Sequence, residues 1–373
     1  MARPAKKRTG RKPIKRTAAK RAATRTATRR PAAKSAAAKR APRGPKTKPF
    51  ALDWHTHIFV PEVVSFNRDH MVVNGFRPAP PQEGRGFTRG EMTWDLDPVQ
   101  RTKTMDDMRV DMQLISASLV HQCTYWAEPE ESLKYDRMSN DRIADLCQKF
   151  PSRFVGIATV PLQAPELAAR ELERAVRELG LKGANISSNV NGVELGLAEL
   201  DPFWAKAQEL DVPVYIHPHG SVSDRFQRYL LWNSIGQNLE ETMAMLSLVH
   251  DGVMDDYPKL KIVFAHGGGF LPYAPGRVDR NSEEGRRERL GSKIKTRVSD
   301  YFDRFYYDTC LYDAAMLFTL ASRVGADRLI MGSDYPVGDL DPVGFVERER
   351  SISDSTRKGI LGGTAAKLLK LGA

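Results

Sequence analysis

Cysteine is scarce: three in 373 residues, Cys123, Cys147 and Cys310, widely spaced and odd in number. That excludes a disulfide framework and leads us to expect a reduced, cytoplasmic setting. No apolar run approaches the roughly 18 residues that cross a bilayer, so no membrane segment is expected. No short apolar core of the kind a secretory signal carries follows the N-terminus. Histidine is also scarce, at eight residues, which gives weight to where those eight fall. The most uneven absence is that of acid: residues 1–48 contain no Asp or Glu.

Those 48 residues hold 19 of the 57 Lys and Arg, so the formal charge of +11 belongs entirely to them. The remaining residues carry 38 basic side chains against 46 acidic ones. The high isoelectric point therefore says nothing about the folded body. Ala, Lys, Arg, Thr and Pro offer little to bury, and such a segment cannot offset its ordering entropy. A disordered tail is expected over 1–48. In composition it resembles the tails of linker histones and bacterial histone-like proteins. Three readings stay open: a polycation that binds nucleic acid by counterion release, a solvated extension, or an organelle transit peptide. The Lys content and the lack of an amphipathic pattern weigh against the last.

The body, 49–373, opens on Phe50-Ala-Leu-Asp-Trp-His-Thr-His-Ile-Phe59. On a strand, residues i and i+2 share a face, so His55 and His57 project side by side. Two neutral imidazoles at one point suit a divalent transition metal. Three later apolar runs end in further candidate ligands: Val214–His217, Val263–His266 and Leu329–Asp334.

Strand-like runs are read at Phe50–His55, Leu114–His121, Phe154–Val160, Gly183–Ser187, Val212–His217, Leu260–His266, Phe305–Thr309 and Arg328–Ser333. Helical stretches separate them. The clearest is Pro165–Leu179, with Leu167, Leu172, Val176 and Leu179 on one face and Gly180 as its stop. Eight strands alternating with helices predict an α/β fold, a (β/α)8 TIM barrel. Its active site forms at the C-terminal strand ends, where His55, His57, His217, His266 and Asp334 all fall. The connection at about 61–100, with Arg77–Gly86 and Trp94, is long. It reads as a lid, a substrate-contacting insert or a tolerated loop. Gly267-Gly-Gly269 lacks the Lys and spacing of a phosphate loop and reads as a tight turn.

Taken together, Thr124–Glu131, Arg153–Leu167, Pro258–Gly269 and Gly332–Pro336 resemble the amidohydrolase superfamily. The resemblance runs from about Leu52 to Leu371, and its branch is that of aminocarboxymuconate-semialdehyde decarboxylase and related aromatic-acid decarboxylases. It implies one divalent ion, expected to be zinc, held by His55, His57, His217 and Asp334. A second ion would need a carboxylated lysine on the fourth strand, and Lys182 precedes that strand. The resemblance gives His266 the part of a base beside the metal, with Asp334 as a further catalytic group; an alternative for His266 is to orient a ligand. It implies a carboxylate contact for Arg277, reaching in from a neighbouring subunit of a homodimer or higher homo-oligomer, and looser cationic contacts for Arg101 and Lys103. His219 stands where the family usually has tryptophan, which puts the muconate-semialdehyde substrate in doubt and leaves His219 as a substrate contact, extra base or adventitious ligand. Asp308 either orients a histidine or caps a helix. His70, His121 and His250 read as ordinary structural or surface residues.

The expected activity is metal-dependent decarboxylation of a small unsaturated or aromatic carboxylic acid. The alternatives are hydrolysis of a lactone, ester or amide on the same scaffold, and a nucleic-acid-associated protein acting through its tail. Fold does not choose among them.

Overall fold

The structure, a computed structural model, describes residues 48–70, 97–221, 224–226 and 228–372. The expectations for the tail and for Arg77–Gly86 with Trp94 lie outside these residues. Eight parallel strands lie among them: β1 (Leu52–Ile58), β2 (Met112–Ala117), β3 (Phe154–Gly156), β4 (Ala184–Ile186), β5 (Pro213–Ile216), β6 (Lys261–Phe264), β7 (Tyr306–Asp308) and β8 (Leu329–Ile330). They pair in the order β1-β2-β3 and β4-β5-β6-β7-β8. Two seams close the ring. Asn185 N donates to Ala158 O at 2.7 Å between the β3 and β4 segments. Trp54 N reaches Met331 O and His57 N reaches Tyr335 O, each at 2.9 Å, between β1 and the β8 segment. The expected barrel is the fold, and every strand overlaps the range expected for it, with ends that differ by up to four residues. The second expected run overshoots: Leu119–Gln122 is a short helix, which takes His121 off the strand.

Strands buried on both faces need apolar residues on both. Leu52, Trp54, Leu114, Val155, Tyr215, Val263 and Ile330 fill the barrel interior. Ala365, Leu368 and Leu369 of the last helix join this cluster, beside the start of β1, where Gly362 packs against the Phe50 carbonyl. A second, larger cluster lies between strands and helices. The register of β1 against β2 shifts between Asp53 and Thr56. Such a bulge turns adjacent residues to one side. Trp54 thereby joins the interior core while His55, one residue on, meets the interior Tyr215, with ring centroids 5.5 Å apart.

Two helices differ from expectation. Pro165–Arg177 buries Ala168, Ala169, Leu172 and Ala175, and Leu167 and Val176 sit at the margin. Small side chains let it approach the helix Asp201–Leu210 closely, which rotates the buried face toward alanine. The long connection after β1 is also partly helical, at Pro61–Asn67 and Pro98–Asp107. Asp97 caps the second, its side chain accepting from Val99 N, with Pro98 at the first turn. No helix among the described residues is long and apolar enough to cross a membrane, and all three cysteines are free.

Candidate metal centre

His55, His57, His217 and Asp334 meet where β1, β5 and the segment after β8 end. Their ligand atoms all lie within 4.8 Å of one another. The three imidazoles stand nearly perpendicular in pairs, with centroids 4.8–5.1 Å apart. Asp334 Oδ1 lies 3.2 Å from His55 Nε2 and 3.3 Å from His57 Nε2. Asp334 adopts a positive φ of 62°, which turns its carboxylate back over β1.

Each ring is oriented from behind through Nδ1. His55 Nδ1 is 2.7 Å from Asp308 Oδ2, His57 Nδ1 is 3.2 Å from Ser116 Oγ, and His217 Nδ1 is 3.0 Å from Pro218 O. Ser116 Oγ donates its own proton to Thr56 O at 2.8 Å, so it accepts from His57. These bonds leave Nε2 of each ring for the centre; buried Nε2 of His217 makes no hydrogen bond, and that of His55 makes none of good geometry, with Asp334 Oδ1 beside it at 3.2 Å. Buried polar atoms are seldom left so. Three imidazoles, a carboxylate and orphaned nitrogens fit a divalent metal ion, with the outer bonds fixing each tautomer.

Asp308 answers the question its sequence left open: it orients a histidine. Its carboxylate also accepts from Tyr215 Oη at 2.9 Å, Gly267 N at 3.3 Å and Cys310 N at 3.0 Å. Burial would raise its pKa, but His55, His266 and the Cys310 amide together hold it below the usual carboxylate range.

His266 stands beside this group, outside the four ligands. Its ring centroid is 5.1 Å from that of His55 and 5.3 Å from that of His217. Its Nδ1 is 2.7 Å from Glu241 Oε1. Burial opposes charge on the ring, and the Glu241 carboxylate overcomes it, so the pKa of His266 is raised. Gly267, Gly268 and Gly269 all have positive φ. A Cβ at Gly269 would lie 2.2 Å from Asn238 O, which is why this turn needs glycine and why Gly267-Gly-Gly269 is a turn and not a phosphate loop.

The cationic expectations separate. Arg101 is corrected: it is 2% exposed and lies behind β1. It donates from Nε to Gln113 Oε1 at 2.8 Å, from Nη1 to His57 O and from Nη2 to Thr56 Oγ1, both at 2.9 Å. It braces the metal-binding strand and is spent on protein. Lys103, two residues along the same helix, is exposed and joins no site residue. Arg277 is exposed on the helix Gly276–Asn281 and forms no bond among the described residues. His219 is half-buried near the rim, with Nδ1 2.7 Å from Ser187 Oγ. Burial pushes it down to about 4, while a bond to the Leu119 backbone works against that shift. Glu241, Tyr215 and Ser116 were missed; only Tyr215, two residues before His217 in the same apolar run, carried any positional signal.

A barrel whose strand ends bring together three histidines, each backed by a fixed partner, and an aspartate has the scaffold of the metal-binding hydrolase type. An amidohydrolase family model matches residues 52–371, and the chain belongs to that family. It is 34% identical over 281 residues to the 2-amino-3-carboxymuconate-6-semialdehyde decarboxylase of Dictyostelium discoideum, covering 74% of this chain and 77% of that one. It is 34% identical over 286 residues to a gamma-resorcylate decarboxylase of Polaromonas, covering 73% and 87%. A solved 5-carboxyvanillate decarboxylase of Novosphingobium aromaticivorans, complexed with manganese and 4-hydroxy-3-methoxy-5-nitrobenzoic acid, superposes with a TM-score of 0.79. The two are 28% identical, over 88% of this chain and 98% of that one. Within the family the chain falls in the branch of these decarboxylases.

Proposed function

We propose that this protein is a metal-dependent carboxy-lyase that removes CO2 from an unsaturated or aromatic carboxylic acid. The observation that carries the reading is the convergence of His55, His57, His217 and Asp334, with the His266 ring beside that group of four. The named activities of the relatives support the same class. A divalent ion held by those four residues would supply a Lewis acid and an acidified water. Zinc is the ion proposed, and the relatives with manganese make that the competing identity.

The chain's own residues do the rest. Breaking the bond to the carboxyl carbon leaves an electron pair on the remaining carbon, which must take up a proton. His266 is proposed to hold and deliver it through Nε2, the nitrogen not engaged by Glu241. Asp334, whose side chain is 14% exposed against 0–3% for His55 and His57, is the ligand most open to a reactant and the second catalytic group. Arg277 is proposed to pair with a substrate carboxylate across the boundary of a homodimer. The body is proposed to be one catalytic unit over 49–373 in the cytoplasm. The tail, 1–48, is proposed to bind nucleic acid without sequence preference.

A panel of aromatic and unsaturated acids, lactones and esters tests the class, with CO2 detection and metal content measured on the same samples. We expect CO2 from at least one acid, loss of turnover on chelation, recovery with one divalent ion per chain, and weaker turnover of acids in Arg277→Ala. Turnover of lactones or esters with no acid decarboxylated would transfer the protein to the hydrolase reading.

A further inference from the structure

Five carboxylates are buried among the described residues: Asp53, Asp136, Glu171, Glu241 and Asp308. Burying a carboxylate costs several kcal/mol unless charge or hydrogen bonds offset it. Four of the five accept three or more hydrogen bonds each. Asp308 accepts the four bonds given above. Glu171 accepts from Arg137, Asn140 and Arg174. Asp53 accepts from the Ser333 amide and hydroxyl and from Gln113, and Asp136 from three hydroxyls.

Glu241 is the exception. It lies wholly buried in the helix Asn238–His250. Its one protein hydrogen bond is to His266 Nδ1 at 2.7 Å, and Oε2 has none. An apolar residue of similar size would pack this helix at less cost, so the fold alone gives no reason for an acid here. The bond to His266 does.

We infer that Glu241 is the positioning residue of His266. Burial pushes the Glu241 carboxyl up to about 7 while the facing His266 ring works against that shift; in its ionised form the carboxylate only accepts, so the 2.7 Å contact draws the ring proton to Nδ1 and fixes both the tautomer and the rotation of the ring. Nε2 is then the free nitrogen, able to take a proton and to return it. Relatives of a bare histidine in a flexible pocket would split between two tautomers and several rotations. The inference rests on the role proposed for His266, and it adds a residue that the sequence did not single out: an adjacent pair, Glu240-Glu241, on a helix looks like solvated charge.

The test uses the full-length, metal-loaded enzyme and the variants Glu241→Leu and Glu241→Gln. Glu241→Leu is expected to lower kcat by about 10²-fold, with KM and metal content unchanged within about twofold. Glu241→Gln keeps an acceptor oxygen and is expected to recover at least about tenfold of that loss. Histidine 15N NMR, with the His266 signal assigned by its disappearance in His266→Ala, is expected to show Nδ1 protonated in the wild type and a mixture in Glu241→Leu. Unchanged kcat in Glu241→Leu, loss of metal along with kcat, or equal damage in both variants would overturn the inference. Should Glu241→Leu fail to fold, the wild-type and Glu241→Gln spectra decide, and an Nε2-protonated wild type overturns it. An active His266→Ala would instead overturn the catalytic role of His266, while the tautomer result would still judge Glu241.

Discussion

Arg101 and Lys103 are two residues apart on one helix and point to different sides, as a 100° step per residue requires. A sequence shows two cations near the metal-binding strand and cannot tell which is buried. The structure gives Arg101 three bonds to β1 and β2 and sets its guanidinium 4.8 Å from the centroid of the Tyr335 ring. Burial lowers its pKa to about 10, so it stays charged at neutral pH. Arg101→Met should therefore destabilise the protein by about 3 kcal/mol, from the acceptors it leaves unpaired, and should loosen metal binding through His57. Denaturant unfolding and metal titration check this. A variant with wild-type stability but a raised KM for acids would return Arg101 to the substrate. The four candidate ligands could be picked out because they lie at or near the ends of apolar runs, whereas Arg101 and Glu241 could not, because nothing local marks a charged helical residue as buried.

At the scale of elements, strand number and order were legible from eight apolar runs, and their ends were not. Hydrophobicity and cross-strand bonding continue past the end of the regular strand, as at Ile157 and Ala158, which are buried beyond β3 and still bond to Ile115 and to the β4 segment. The helix Pro129–Lys149 illustrates what burial adds. Its Asp136 faces inward, with Thr124 Oγ1 3.1 Å away and Ser132 and Thr159 hydroxyls at 3.4 Å. Burial pushes its pKa up to about 8, with nearby Glu171 adding to the rise. The folded state then keeps a proton that the unfolded chain releases near its ordinary value of 3.8. This contribution to stability is complete below about pH 4 and declines as pH rises toward about 8. Between pH 5 and 8 the Tm of Asp136→Asn should fall less steeply than that of the wild type. Parallel curves would mean that Asp136 does not hold its proton.

For the whole molecule, the division of charge is the most visible property of the sequence, and it separates two behaviours. The body is acidic and holds the proposed chemistry; the first 48 residues carry every unit of net positive charge. Deleting 1–48 should leave turnover and Tm within error and abolish retention on DNA at low salt. Retention by the wild type should itself fall steeply between 50 and 200 mM salt, as counterion release requires. Equal retention by the truncated body would locate any nucleic-acid affinity elsewhere.

The seam between β1 and the segment after β8 also has a consequence for how the chain reaches this state during synthesis. His55 and His57 are among the first residues of the body to leave the ribosome, and Asp334 is among the last. Until Met331 and Tyr335 emerge, the β1 edge lacks the partners that hold it from that side, and an open edge invites pairing with other chains. The fourth ligand arrives with the same segment that closes the barrel. A nascent chain short of that point has the three imidazoles but not Asp334, so the candidate centre is complete only when the ring closes. An ion that binds only the closed form would favour closure by mass action, making metal supply during translation a determinant of how much chain escapes aggregation.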